Sequence, residues 1–321
     1  MGATRGSSGR VVIAGGSGFL GRGLAGLLLE RGYEVTALGR SAQRPEGVAE
    51  AVDWRQWDGR SVGEWASALE GAQAVVNLVG RSVDCRKTSA NVREILASRV
   101  DSCRVLGEAM RQVARPPGVW VQSATAHIVG DPEPRETICD ERTAPGPERE
   151  MAPRVGVAWE EAFEAARLPE QRGVVLWISF VLGRGGGAYE RLSRLVRWGL
   201  GGTVGRGDQW ISWIHQADLN RLMVAAIEES AYQGVYMVTA PEPVTNRDFM
   251  AALRRAHGRP WSPPAPALAV RLASRWVLDT DPELALLGRR CVPTRLREEH
   301  GFAFTYPRID EAMRELVAQG V

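Results

Sequence analysis

From residue 11 to about residue 180, short β-branched runs alternate with longer stretches of helical periodicity. Val11–Ala14 is an apolar run that stops at a glycine cluster, and an apolar helical pattern, Phe19–Arg31, follows at once. A second strand is predicted at Glu34–Leu38, after Gly32, and a third starts at Ala51–Val52, ahead of Trp57-Asp58-Gly59. Val62–Leu69 reads as a helix, and Ala74–Leu78 as a buried strand ending at Gly80. Val92, Ile95, Leu96, Cys103, Leu106, Met110 and Val113 form one stripe of a long helix that ends before Pro116-Pro117. Val119–Gln122 is the fifth strand, Val155–Ala166 a helix, and Val174–Ser179 the sixth strand. Strands alternating with helices predict an α/β fold: a doubly wound parallel sheet of Rossmann type, covered on both faces.

The pattern changes after Gly183. Gly185-Gly186-Gly187 interrupts the chain, and Ala188–Trp198 is helical. Short strands are predicted near Gly202–Gly205 and Ile211–Ile214, then a helix at Asp218–Glu228 and a strand at Val235–Val238. A helix at Asn246–His257 takes Thr245 or Asn246 as its cap. Ser262–Pro266 is a proline-rich linker. Beyond it lie a helix (Leu268–Leu278), the segment Pro293–Gly301, a short aromatic strand (Phe302–Tyr306) and a final helix from Asp310. The expected division is a flexible stretch at 1–10, a dinucleotide-binding domain at 11–183, and a smaller mixed α/β substrate-side region at 184–321. A terminal module occupies about residues 262–321 of that last region.

The 321 residues are 44% hydrophobic and 24% charged, enough for a full core. A net charge of +2 gives no reason to expect a nucleic-acid or membrane partner, and leaves a small-molecule substrate as the expected one. Lys87 is the only lysine. Cys85, Cys103, Cys139 and Cys291 show no C-x-x-C spacing and read as reduced thiols in a cytoplasmic protein. The oligomeric state is open.

Gly15, Gly16, Ser17, Gly18, Phe19, Leu20 and Gly21 form a strand–turn–helix junction suited to a pyrophosphate. Gly15, Gly18 and Gly21 satisfy G-x-x-G-x-x-G, while Gly16, Gly18 and Gly21 satisfy G-x-G-x-x-G, so spacing does not choose between them. At the end of the second strand, where NAD-binding folds carry an acid for the ribose hydroxyl, stand Arg40 and Ser41. Arginine pairs with a 2′-phosphate, which turns the expected cofactor to NADP(H), with a solvated loop arginine as the alternative. Asn77, Val79 and Gly80 end the fourth strand at the edge where cofactors sit. Gly80 would admit the nicotinamide ribose, or mark a bare turn.

Together these pieces, with Ile95-Leu96-Ala97-Ser98-Arg99-Val100, Ser123-Ala124-Thr125-Ala126, Trp159-Glu160, Val181-Leu182-Gly183 and Trp213-Ile214-His215, resemble the extended or atypical short-chain dehydrogenase/reductase superfamily. Within it the chain is similar to the NAD(P)-dependent epimerase-like group sometimes mislabelled as cell-division inhibitors. Gly301-Phe302-Ala303-Phe304-Thr305-Tyr306-Pro307 resembles that group's terminal module of unknown function. The resemblance places Asp58 against the adenine amino group (an Asp-Gly turn is the alternative), Arg99 on the cofactor side, and Ser123 and Thr125 at the substrate. Thr125 aligns with the hydroxyl that bonds a substrate carbonyl; a loop cap is the alternative.

The superfamily's Tyr-x-x-x-Lys pair falls, by that resemblance, at Ala152 and Gly156, and neither titrates. Val129 stands where extended members often have another tyrosine. His127, on the Thr125 loop, is a candidate acid or base, or a packing histidine. Arg154, and Arg81, Arg86 and Lys87 after Gly80, are candidate anion contacts or solvated charges. Tyr189 and His215 read as packing and capping residues before chemistry. The resemblance implies an NADP(H)-dependent reductase of a small carbonyl, imine or enone. The alternatives are an epimerase or dehydratase that holds its cofactor tightly, and a non-catalytic NADP-binding sensor or assembly factor.

Overall fold

A computed structural model describes residues 9–267 and 286–320. The first half runs β1 (Arg10–Ala14), α1 (Phe19–Glu30), β2 (Glu34–Gly39), β3 (Asp53–Gln56), β4 (Ala74–Asn77), α2 (Ser89–Met110), β5 (Val119–Thr125), β6 (Ile138–Cys139), α3 (Met151–Ala166) and β7 (Arg172–Ile178). Then come β8 (Phe180–Leu182), α4 (Tyr189–Arg197), β9 (Trp210–Ile211), β10 (Trp213–His215), α5 (Gln216–Glu228), β11 (Gly234–Val238), β12 (Val244–Thr245) and α6 (Asn246–Ala256). The described chain ends with β13 (Arg290–Cys291), α7 (Thr294–Glu298) and α8 (Ile309–Ala318).

Seven strands form one parallel sheet in the order β11-β7-β5-β4-β1-β2-β3. Val11, Val12, Ile13 and Ala14 are wholly buried, as are Ala74, Val75 and Val76 beside them. Apolar runs of this kind cannot show alternation, because helices cover both faces. Leu24 and Leu28 of α1 and Leu219, Leu222 and Met223 of α5 cover one face. Cys103, Leu106 and Met110 of α2 and Trp159 and Phe163 of α3 cover the other. Each such aliphatic or aromatic side chain stabilises the fold by roughly 1.5–3 kcal/mol relative to exposure. The order of the sheet reverses at β1, with β2 on one side and β4 on the other. The loops leaving β1 and β4 therefore diverge and open a crevice at the carboxyl edge.

Several expectations are corrected. The strand at 234–238 completes the central sheet beside β7, so the boundary expected at residue 183 does not separate two sheets. The third strand starts at Asp53; as an edge strand with a polar sequence it has little pattern to read. Residues 64–69 form a 3-10 helix, not an α-helix. Near Gly202–Gly205 a single bridge, Val204 with Ala265, replaces the expected strand. Phe302–Tyr306 is not a strand: the Thr305 and Tyr306 N–H groups donate to the Asp218 carboxylate (2.8 and 2.9 Å). Arg10, expected in the flexible stretch, opens β1 opposite Glu34. The helix expected at Leu268–Leu278 and most of the 1–10 stretch lie outside the described residues. Thr245 is the α6 cap, accepting from Asp248 N (3.2 Å). All four cysteines are free, but Cys139 and Cys291, far apart in sequence, sit opposite each other on β6 and β13.

Candidate cofactor and active site

The turn after β1 is held by Gly15 N and Gly16 N, both donating to Leu38 O (3.0 and 3.3 Å), and by Gly18 N donating to Gly15 O (3.1 Å). Gly15 has φ +83°, a conformation that L residues avoid, so it is the glycine that makes the reversal. Gly15 is therefore needed for the turn itself, as the G-x-x-G-x-x-G spacing expects. A Cβ at Gly16 would lie 2.5 Å from Ala37 Cβ, and one at Gly21 would lie 2.5 Å from Gly15 O. These two glycines serve strand and helix packing. Gly18 differs: it is exposed, and its Cβ would meet only Gly15 O, at 3.3 Å. No side chain caps α1 at Gly18. The first-turn N–H groups and the positive dipole end are therefore presented to a ligand. This junction is shaped for a dinucleotide pyrophosphate. Ser17, Phe19 and Leu20 share it; the Phe19 ring lies under Gly183, Gly186 and Gly187, and Arg22 Nη2 donates to Gly185 O (2.7 Å).

Beyond β2, Arg40 lines a cleft of about 560 Å³ with Arg55, Gln56, Trp57, Asp58 and Ser61. Arg40 is exposed, and its carbonyl accepts from Gln56 Nε2 (3.2 Å). The Ser41 carbonyl accepts from Trp54 Nε1 (3.0 Å). Asp58 closes its own turn, accepting from Arg60 N, Ser61 N and Ser61 Oγ. Those bonds hold its carboxyl down at about 2, so it is ionised. Sequence reasoning missed Arg55, which pairs with Asp53 (2.9 Å); a polar edge strand gives no signal for it.

At the end of β4, Asn77 is wholly buried, which corrects the expectation of direct cofactor contact. Its Nδ2 donates to Ser102 Oγ (3.2 Å) and Gln122 Oε1 (3.1 Å), and its Oδ1 accepts from Val79 N (3.1 Å). Asn77 thus shapes the turn from beneath. Val79 is half-buried and Gly80 exposed. Arg99 reaches from α2 to this turn: a Gly80 Cβ would lie 3.0 Å from its Nη2, and its guanidinium stacks over Trp159 (4.8 Å). Burial lowers its pKa to about 10, and among the described residues no carboxylate pairs with it.

At the end of β5, Ser123 is buried and Thr125 half-buried. Thr125 Oγ1 accepts from His127 N (3.2 Å), so the cap reading holds, and the hydroxyl proton is left to donate elsewhere. His127 is half-buried, and its imidazole nitrogens bond to no described residue. Burial, then the Arg289 charge, push its pKa well below the ordinary value. At neutral pH it is uncharged, which of the two expected roles, acid or base, leaves the base. Arg289, from the far end of the chain, was also missed by sequence reasoning; an Arg-Arg pair reads as solvated surface.

Ala152 and Gly156 lie on α3 as expected. Ile128 packs against Gly156, where a Cβ would lie 2.9 Å from Ile128 Cγ1, so no side chain fits there. The remaining candidates resolve as packing or surface groups. Arg81 bonds Asn91 (2.8 Å) and pairs with Glu94, and Lys87 bonds Cys85 O (3.3 Å). The Arg86 carbonyl accepts from Asn91 Nδ2 (2.8 Å), and Arg154 is exposed. Tyr189 is buried, and His215 caps α5 while bonding Glu315 (3.0 Å). Among the described residues no cluster is suited to a metal, and no helix is long and apolar enough to cross a membrane.

A family model described as NAD dependent epimerase/dehydratase family matches residues 11–238, and a domain of unknown function (DUF1731) matches residues 265–316. The chain is 33% identical over 317 residues to the epimerase family protein SDR39U1 of Bos taurus, covering 96% of this chain and 100% of that protein. It is 27% identical to the epimerase family protein YfhF of Bacillus subtilis, covering 96% and 98%. Among solved structures it resembles human epimerase family protein SDR39U1 (isoform 2) with NADPH, at a TM-score of 0.84 and 30% identity over 96% of this chain and 99% of that one.

Proposed function

Since the chain belongs to the NAD dependent epimerase/dehydratase family, we propose that it binds NADP(H) in the crevice at the β1–β4 switch point and acts on a small oxygen- or nitrogen-bearing substrate at the end of β5. One observation carries the reading: Gly15 turns the chain with φ +83°, while exposed Gly18 leaves the start of α1 open beside a cleft bearing Arg40. The similar human protein was solved with NADPH, which agrees with Arg40 standing where an acid would select NAD. When bound, the cofactor supplies two-electron transfer at its nicotinamide.

The chain's own residues do the rest. Gly18 and the first turn of α1 hold the pyrophosphate, and Arg40 holds the 2′-phosphate. Gly80 admits the ribose, backed by Arg99. Thr125, its oxygen held by His127 N, donates a hydrogen bond that polarises the substrate oxygen. Neutral His127 adds a donor or acceptor at the same edge. With Ala152 and Gly156 at the tyrosine and lysine places, the substrate oxygen exchanges its proton with solvent at this edge. Net oxidation of NADPH marks a reductase; unchanged total NADPH during turnover marks an epimerase or dehydratase. The seal of Ile128 over Gly156 favours a second reading, cofactor binding without turnover. Titration with NADPH and NADH tests the leading reading: NADPH binds more tightly, and equal affinities overturn it.

A further inference from the structure

Arg289 belongs to the segment matched by the domain of unknown function, yet it is built into the edge that carries Thr125 and His127. Its main chain is fixed from several sides. Gly288 N donates to Asp131 Oδ1 (3.2 Å), and Arg289 N to Trp210 O (3.1 Å). Ser212 Oγ donates to Arg289 O (2.8 Å), and β13 pairs with β6. The residue is 8% exposed. Its Nε donates to Gly130 O (2.7 Å), three residues past His127. Its two terminal nitrogens make no hydrogen bond or ion pair with any described residue.

A guanidinium carries five N–H donors, and one bond to a carbonyl meets a small part of that capacity. The neighbouring His127 imidazole also lacks a side-chain partner among the described residues. Two unpartnered polar groups, locked side by side on the substrate edge of a sheet, form a receptor. We propose that Arg289, with His127 beside it, receives a carboxylate of the substrate, so that the substrate is a small carboxylate-bearing carbonyl or alcohol. This rests on the reading of the β5 edge as the substrate side.

Charge argues against a dianion. Asp131 and Glu150 lie close enough to act on the Arg289 charge, and His127 is neutral, so the site holds no surplus positive charge for a phosphate, and a carboxylate is received by the hydrogen bonds of the fork rather than by net charge. The planar fork matches a planar carboxylate. After burial, the Arg289 charge acts against protonation of the His127 ring.

The test uses the full chain loaded with NADP+, titrated calorimetrically with oxamate, acetate, oxamide and inorganic phosphate. The expected result is saturable binding of oxamate and acetate, with neutral oxamide and phosphate at least tenfold weaker. Arg289→Gln weakens oxamate at least tenfold, Arg289→Lys less, and His127→Gln about threefold, each with cofactor affinity and melting profile retained. No carboxylate binding to the wild type, equal oxamate affinity in Arg289→Gln, or phosphate bound more tightly than oxamate each overturns the inference. The cofactor is titrated separately on the same protein. Cofactor binding without carboxylate binding sinks this inference alone, and carboxylate binding without cofactor binding sinks the functional reading alone.

Discussion

Gly18→Ala and Gly21→Ala add the same methyl group to the same loop, and they should fail in opposite ways. At Gly21 the new Cβ lies 2.5 Å from Gly15 O and 2.7 Å from Gly16 Cα. Both are backbone atoms of a turn pinned to β2, so relief requires α1 to move off the sheet. Overpacking of that kind costs about 1–3 kcal/mol. In a chain of this size 2 kcal/mol is a fall in Tm of roughly 3 °C. At Gly18 the Cβ meets only Gly15 O, at 3.3 Å, and φ −71°, ψ 167° suits alanine. Loss of a glycine N-cap, about 0.5–1 kcal/mol, is offset by about 0.4–1 kcal/mol from a less flexible unfolded chain. The melting temperature should therefore stay within about 1–2 °C. The methyl group instead stands where the pyrophosphate must approach, and NADPH affinity should drop at least about tenfold, or 1.4 kcal/mol. Calorimetric titration and thermal melts of both variants give the answer. NADPH binding to Gly18→Ala at wild-type affinity would refute the assignment of this turn to the pyrophosphate.

Arg40→Asp should weaken NADPH by about 1–3 kcal/mol, as for loss of a charge-assisted bond, while leaving NADH unchanged or tighter; parallel titrations of the two check it. Thr125→Val should cut turnover by roughly 100-fold or more at unchanged NADPH affinity, and Thr125→Ser should restore most of it, measured as NADPH oxidation over a panel of small carboxylate-bearing carbonyl compounds. Glu160, half-buried against Trp177 Nε1, has its carboxyl pushed up to about 7, chiefly by desolvation. Its folded pKa lies above its unfolded one, so its favourable contribution is full at low pH and is lost as pH rises from about 4.5 through 7. Glu160→Gln should remove that slope and stabilise the protein at pH 8 by on the order of 2 kcal/mol, read from denaturant midpoints; an unchanged slope would show that another group sets it.

The central sheet was legible because parallel strands covered on both faces leave unbroken apolar runs, as at Val11–Ala14 and Val119–Val121, and because α2 keeps one apolar stripe over its whole length. β3 was blurred because an edge strand buries little: its burial falls on Trp54 alone, which closes over Gly39. Phe302–Tyr306 misled because aromatic residues suggest pairing, whereas the backbone donors there go to a buried carboxylate, Asp218, far away in sequence. The turn after β1 is set by local glycine spacing, so its shape was legible in the sequence. The edge at the end of β5 is assembled by long-range contacts. Asn77 turned inward to a network with Ser102 and Gln122. Arg289 arrives from the other end of the chain to bond Gly130, a contact that no local pattern encodes.

A crystal structure of the protein soaked with NADPH tests the central claim most directly. The pyrophosphate is predicted to lie on the N–H groups at the start of α1, against Gly18, with the 2′-phosphate bonded to the Arg40 guanidinium and the nicotinamide facing Thr125. A pyrophosphate seated away from Gly15–Gly21, or a 2′-phosphate in solvent with Arg40 turned from it, would contradict the account.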